Sequence, residues 1–152
     1  MEFQAIFDAP FGSILLSADE KNVQGIELFA ASSNSVSHST TILQQLEQQL
    51  NAYFSNPHTQ WDLPLAVRGT GFQQKVWCYM QAIPVGETRS YGEVAEALNS
   101  SARAVGNACR ANPFPIVVPC HRIVSKTGLG GFAGQTSGDR INVKQWLLDH
   151  ER

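Results

Sequence analysis

Cysteine is scarce in this 152-residue sequence, and its three occurrences, Cys78, Cys109 and Cys120, make neither an even set nor a close pair. A disulfide framework and a cysteine-built zinc knuckle are therefore excluded, and free thiols in a reducing, cytoplasmic setting are expected. Neither a metal nor a cofactor is expected. Apolar runs never approach the roughly 20 residues of a membrane span, so no membrane partner is expected. The opening Met1-Glu2-Phe3-Gln4 lacks a basic segment followed by an apolar one, and no signal peptide is expected. Charge is thin too, 16% against 43% apolar residues, the balance of an ordinary globular protein. Basic residues are nearly missing from the first part: residues 1–65 hold Lys21 alone against seven acids. Residues 100–145 reverse this, with Arg103, Arg110, Arg122, Lys126, Arg140 and Lys144 against Asp139 alone. A net charge of −2 and a pI near 6.0 would argue against a nucleic-acid partner; the locally basic second half reopens the question.

The pattern along the chain predicts two domains, 1–65 and 69–152. Partly alternating runs over 2–8 and 13–18 surround Asp8-Ala9-Pro10-Phe11-Gly12 and read as a hairpin. A second turn at 19–22 leads to a strand over Val23–Phe29, and the small polar residues Ala31–Thr41 read as a loop. Ile42, Leu43, Leu46, Leu50, Tyr53 and Phe54 recur at helical spacing until Asn56-Pro57. This is a small α+β unit with no catalytic grouping, and His38 and His58 read as solvated. After a connection over Leu63–Gly71, Thr70-x-x-Gln73 and Ser90-x-x-Glu93 are capping boxes that open two helices. The first presents Phe72, Val76, Trp77, Met80 and Ile83, and the second turns Val94 and Leu98 inward. A polar turn at Asn99-Ser100-Ser101 then starts a helix over Ala102–Ala111. Two short helices joined by a tight turn predict a helix-turn-helix.

That last helix is built of small residues, Ala102, Ala104, Gly106, Asn107 and Ala108, and Gly106 weakens it. One reading packs these residues on the preceding helix. The other lays them against a nucleic-acid backbone, with Arg103 and Arg110 as the long reaches. Further on, Gly128–Gly134 formally matches a dinucleotide fingerprint, but only eighteen residues follow it, too few for the βαβ unit and downstream acid required. A loop admitting a planar group fits better. The final helix begins at Ser137 or Asp139 and relies on Ile141, Trp146 and Leu147 for apolar contact.

Chemistry concentrates in Pro115-Ile-Val-Val-Pro-Cys-His-Arg-Ile-Val124. The prolines bias Val118 away from helix, so Cys120 is predicted at the end of a short extended segment. A thiol attacks as thiolate, and an adjacent imidazole and guanidinium would favour that form. A buried structural cysteine beside a surface His-Arg pair is the competing account, and residue chemistry alone leaves the two level.

The blocks Gly69-Thr-Gly-Phe-Gln-Gln-Lys-Val-Trp77, Ile83-Pro-Val-Gly-Glu-Thr-Arg-Ser-Tyr-Gly92, Ala102-Arg-Ala-Val-Gly106, Asn112-Pro113, Pro119-Cys-His-Arg-Ile-Val124 and Trp146-Leu-Leu-Asp-His-Glu151 stand in one order. Taken together they resemble the O6-alkylguanine-DNA alkyltransferases, or methylated-DNA–protein-cysteine methyltransferases, over roughly residues 69–151. The resemblance implies an α+β protein, with a ribonuclease H-like α/β domain ahead of a winged-helix-like helix-turn-helix domain. It also implies a suicide DNA repair protein that moves an alkyl group, typically methyl, from O6 of guanine to Cys120; O4 of thymine is a further substrate left open. His121 would act through a water as base, oriented by Glu151. Asn112 would hold the turn before the cysteine. Tyr91 would give a proton to N3 of the leaving guanine. Carbonyls of Cys120 and Ile123 would accept its exocyclic amine, the Ala133 amide would face O6, and Pro115 and Phe132 would complete the pocket.

The lesion must be flipped from the stack to reach a thiol. By the resemblance Arg103 fills the gap, while Ala102, Gly106, Tyr91 and Arg110 meet double-stranded DNA from the minor groove, which favours small side chains. A monomer is expected, with cooperative binding along DNA left open. Two departures stand out: Gly134–Asp139 is longer than the family pattern, and the first domain lacks the cysteines that bind structural zinc in some members. The rivals are a lesion-flagging DNA-binding protein without transfer and a cysteine hydrolase using Cys120 and His121.

Overall fold

The structure is a computed structural model and describes residues 2–29, 40–131 and 139–152. The predicted loop up to residue 39 with His38, the glycine-rich segment beyond Gly131, Phe132, Ala133 and the Ser137 cap lie outside the described residues. Two compact units divide the chain, Met1–Val67 and Arg68–Arg152.

The first unit is a three-stranded antiparallel meander with one helix. Strands β1 (Phe3–Ala9), β2 (Gly12–Ala18) and β3 (Val23–Glu27) pair in chain order, with Phe7 opposite Ile14 and Leu16 opposite Ile26. Period-2 alternation buries Ala5 and Phe7, then Ile14, Leu16 and Ala18, on one face. β3 ends at Glu27, two residues short of the sequence expectation. Helix α1 (Thr41–Ser55) starts where the Thr40 hydroxyl accepts from Leu43 N at 3.2 Å. Its stripe of Ile42, Leu43, Leu46, Leu50 and Tyr53 is buried against the sheet, each such side chain contributing about 1.5–3 kcal/mol.

The second unit is mostly helical. Both capping boxes form: Thr70 with Gln73 opens α2 (Gly71–Gln81), and Ser90 with Glu93 opens α3 (Tyr91–Ala97). Helix α4 (Ala102–Arg110) follows a turn in which Asn99 takes φ +54, a conformation asparagine tolerates well, and Ser101 caps Ala104 N at 3.1 Å. α3 and α4 pack as the predicted helix-turn-helix, and the Trp77 indole of α2 donates to Ala108 O at 2.8 Å, fastening α4 from behind.

Strands β4 (Arg89–Ser90) and β5 (Ile123–Val124) form a two-residue parallel pair, too short to leave a sequence signal. Between α4 and β5 the chain makes a single 3-10 turn, Cys120–Arg122. The expected short extended segment ending at Cys120 is thus corrected: Val118 N closes a loop on Phe114 O, Pro119, at ψ 70, turns the chain, and the Arg122 amide bonds back to Pro119 O. Helix α5 (Asp139–Glu151) buries Val143, Lys144, Leu147, Leu148 and Glu151 rather than Ile141 and Trp146, which are half-buried. Among the described residues no helix is long and apolar enough to cross a membrane, and no three of His, Cys, Asp or Glu gather as a metal site.

Candidate active site

The segment before Cys120 is held by one side chain. Asn112 accepts from Phe114 N at 2.9 Å and donates to Val118 O at 2.8 Å, spanning both ends of a loop that Val118 N closes on Phe114 O at 2.8 Å. Inside it Ile116 sits at φ +76, a left-handed conformation that strains a β-branched residue by about 1–3 kcal/mol. Burial of the Ile116 side chain, together with those bonds, holds it there. Half-buried Pro115 pairs with Val118 at the base of the loop.

His121 and Arg122 are buried, not a surface pair, and both turn to Glu151 in the last turn of α5. Arg122 grips the carboxylate with two nitrogens, Nε to Oε1 at 2.8 Å and Nη2 to Oε2 at 3.0 Å, while Nη1 donates to Ile83 O at 2.7 Å. His121 Nε2 lies 2.8 Å from Oε2. A doubly held carboxylate accepts only, so the proton of the neutral ring sits on Nε2 and Nδ1 is left as a bare base. Nδ1 is buried without a protein partner. Burial pushes the imidazole below its ordinary value, against the opposing pull of Glu151, and keeps the ring neutral.

The thiol environment corrects a second expectation. Burial pushes the Cys120 thiol up, so at rest it is protonated. Two groups oppose this, the Asn112 side chain and the ammonium of Lys144; Arg122, committed to Glu151, is not the cation that Cys120 feels. Lys144 was not singled out from sequence. Fully buried, it gives its three protons to Ile123 O at 2.7 Å, Leu129 O at 2.6 Å and Gly131 O at 2.9 Å. Burial lowers it to about 8, which still leaves it mostly charged at neutral pH. The available signal was position: Lys144, Leu147, Leu148 and Glu151 recur at i, i+3, i+4 and i+7, so both charges lie on the apolar stripe. Since Lys144 already engages the Ile123 carbonyl, that oxygen has one lone pair left for another donor.

Tyr91, the first residue of α3, donates to Gly131 O at 3.3 Å and lies under the Lys144 ammonium, 5.9 Å from its ring centre. Burial raises its phenol to about 12, so it stays a donor. Gly130, at φ +72, is fitted to it: a Cβ there would come within 2.9 Å of the Tyr91 ring. Tyr91 also helps line an open groove of about 510 Å³ with Gly92, Ala102, Arg103, Gly106 and Lys126. On α4, Val105 and Ala108 face inward, whereas Ala102, Arg103 and Arg110 are exposed. A Cβ on Gly106 would meet nothing within 4 Å, so packing on α3 does not require that glycine. Ala102 and Gly106 therefore look outward, into the groove, while Ala108 packs inward. Cys109, half-buried on the same helix, has its thiol raised by burial to about 12.

Comparison with known proteins covers both units. Residues 71–152 match the 6-O-methylguanine DNA methyltransferase DNA binding domain, and residues 3–67 match the ribonuclease-like domain of the same proteins. A Methanosarcina acetivorans methylated-DNA–protein-cysteine methyltransferase is 36% identical over 98% of this chain and 97% of its own length. The constitutive Bacillus subtilis methylated-DNA–protein-cysteine methyltransferase is 35% identical over 100% of this chain and 96% of its own. Mycobacterium tuberculosis OGT, crystallised in complex with DNA, superposes with a TM-score of 0.80 at 39% identity, covering 96% of this chain and 90% of that one.

Proposed function

This chain belongs to the 6-O-methylguanine DNA methyltransferase family, and on that premise we propose that it repairs O6-alkylguanine in double-stranded DNA by taking the alkyl group onto Cys120. The observation that carries this reading is the buried Cys120 followed by a His121 whose Nε2 is tied to Glu151 and whose Nδ1 is bare. In the step, Sγ forms a bond to the alkyl carbon as the carbon–O6 bond breaks. The thiol proton passes through a water to His121 Nδ1, the guanine left behind takes a proton at N3 from Tyr91, and the proton on the imidazolium then returns through water to restore the phenol. Lys144 and Asn112 favour the developing thiolate. The product is a thioether, a bond that water does not cleave, so one molecule is consumed per lesion. A monomer in the cytoplasm suffices, entering the minor groove with the small outer face of α4.

Mixed with excess duplex containing O6-methylguanine, the protein should gain one methyl, and peptide mapping should place it on Cys120. Label on Cys78 or Cys109, or repeated turnover, would overturn the assignment.

Arg103, exposed on α4 beside the groove, is assigned to fill the stack vacated by the flipped guanine. Flipping opposes repair by a few kcal/mol. Arg103→Ala should therefore slow transfer from duplex by roughly 10- to 100-fold, since about 1.4 kcal/mol is tenfold, yet leave transfer from free O6-benzylguanine nearly unaltered. Equal losses on both substrates would assign Arg103 to chemistry or folding instead.

A further inference from the structure

The groove beside Tyr91 has two cations on its rim, and only Arg103 has been given a task. Lys126, contributed by the segment after β5 rather than by α4, is exposed, and among the described residues neither cation is paired with a carboxylate. Among the described residues no acidic one lines the groove. Its lining is otherwise small or aromatic, suited to a sugar and base, so negative charge on a bound strand would meet the protein at the rim.

The position of Lys126 is set by structure rather than left to a mobile loop. Pairing of Ser90 with Val124 brings the start of α3 alongside β5, two residues before Lys126. A tight turn then holds its backbone: Ser125 bridges to Gly128, and the Ser125 hydroxyl donates to Gly128 O at 3.2 Å. The aliphatic stem crosses Gly92, where a Cβ would lie 3.9 Å from the Lys126 Cε. The stem is thus supported while the ammonium stays in solvent, the arrangement that lets a lysine act as a point charge on phosphate.

We propose that Lys126 holds one phosphodiester of the lesion-bearing strand beside the flipped nucleotide, in the groove that Arg103 also lines. This rests on the reading of the site given above and extends it from the base to the backbone. Lys126 would be a positioning residue: it keeps the extruded strand seated while Arg103 fills the gap, and it touches no reacting atom.

The test is a phosphate scan. Duplexes containing O6-methylguanine carry one uncharged methylphosphonate at a time, at each phosphate flanking the lesion, and second-order transfer rates are measured for the parent and Lys126→Ala. One position should slow the parent by roughly 3- to 10-fold, as loss of a single phosphate contact does. Lys126→Ala should be indifferent at that position and pay the parental penalty at the others. On unmodified duplex the slope of log affinity against log salt should become shallower by about 1. Lys126→Arg should restore both readouts, and transfer from free O6-benzylguanine should match the parent throughout. Identical penalty patterns in the two proteins, or an equal loss with the free base, would overturn this proposal alone. A parent that transfers nothing from duplex to Cys120 would overturn the reading of the site, and this proposal with it.

Discussion

Glu151→Gln is expected to slow transfer to Cys120 by about 10²–10⁴-fold, the range a positioned general base supplies, with duplex binding nearly unchanged. The carboxylate takes hydrogen bonds from Arg122 at both oxygens and from His121 at one. An amide offers one oxygen and two N–H donors, so in either orientation Arg122 faces a donor it cannot use, and where the amide nitrogen replaces Oε2 it faces His121 as well. In that orientation the ring must switch tautomer, and Nδ1 ceases to be a base; in the other Nδ1 stays a base but the Arg122 grip that orients the group is broken. Glutamine is the informative choice, because alanine would strand the buried Arg122 charge and destabilise the unit by about 3–5 kcal/mol. In the parent, burial holds His121 below its ordinary 6.5, so the base form and the rate persist into mildly acidic solution. Burial pushes the Cys120 thiol the other way, so the variant should gain rate only above the ordinary thiol range.

Stability follows the same group. The unfolded chain binds a proton at His121 near pH 6.5 and the folded one only at lower pH, so this contribution is intact above 6.5 and declines as pH falls through the window beneath it. Single-turnover rates against pH, with unfolding midpoints alongside, test the argument. A glutamine variant with the parental rate profile would remove His121 from the chemistry.

Lys144→Met should lower the stability of the second unit by roughly 3 kcal/mol, since one buried and two part-buried carbonyls lose their donor at up to about 1–3 kcal/mol each and the methionine stem recovers some packing. Transfer at neutral pH should fall as well, because the ammonium is the cation that favours the Cys120 thiolate. The two effects separate with pH. Folding lowers Lys144 from 10.5 to about 8, so between those values the unfolded chain binds more protons and the parent gains stability as pH rises. Denaturant midpoints of parent and variant should therefore diverge across that window. Parallel curves, or an unchanged transfer rate, would mean the ammonium neither fastens the 123–131 segment nor tunes the thiol.

Local chemistry in this sequence was readable where it is written in neighbouring residues. The capping boxes at Thr70 and Ser90, the Asn99 turn and the hairpin at Asp8–Gly12 are decided within a few positions, and the helices and strands begin there. What escaped was decided at a distance. A two-residue parallel pair such as β4–β5 has no periodicity to detect. Lys144 and Glu151 look like solvated charges until α5 is docked, because burial of a charge depends on partners that arrive from 13 to 30 residues away. Arg122 was assigned to the thiol by adjacency in sequence, but a 3-10 turn points successive side chains in different directions and delivers it to Glu151. The left-handed Ile116 runs against its own residue type, and the Asn112 clamp together with burial of the side chain makes it intelligible.

Burial of Cys120 also bears on which electrophiles the chain can tolerate. On the proposed chemistry each molecule reacts once, so every encounter with a stray alkylating agent or peroxide at that sulfur would remove a repair molecule from service. Such small reagents select for thiolate and access together. Cys120 offers little of either, since it is 8% exposed and its thiol is raised, whereas Cys78 stands exposed on α2. Background damage is thereby steered to a sulfur with no assigned role. On that chemistry a buried, protonated resting thiol acts as a chemical filter: it answers a carbon that the pocket presents in line, beside a waiting base, and reacts slowly with small reagents that nothing aligns.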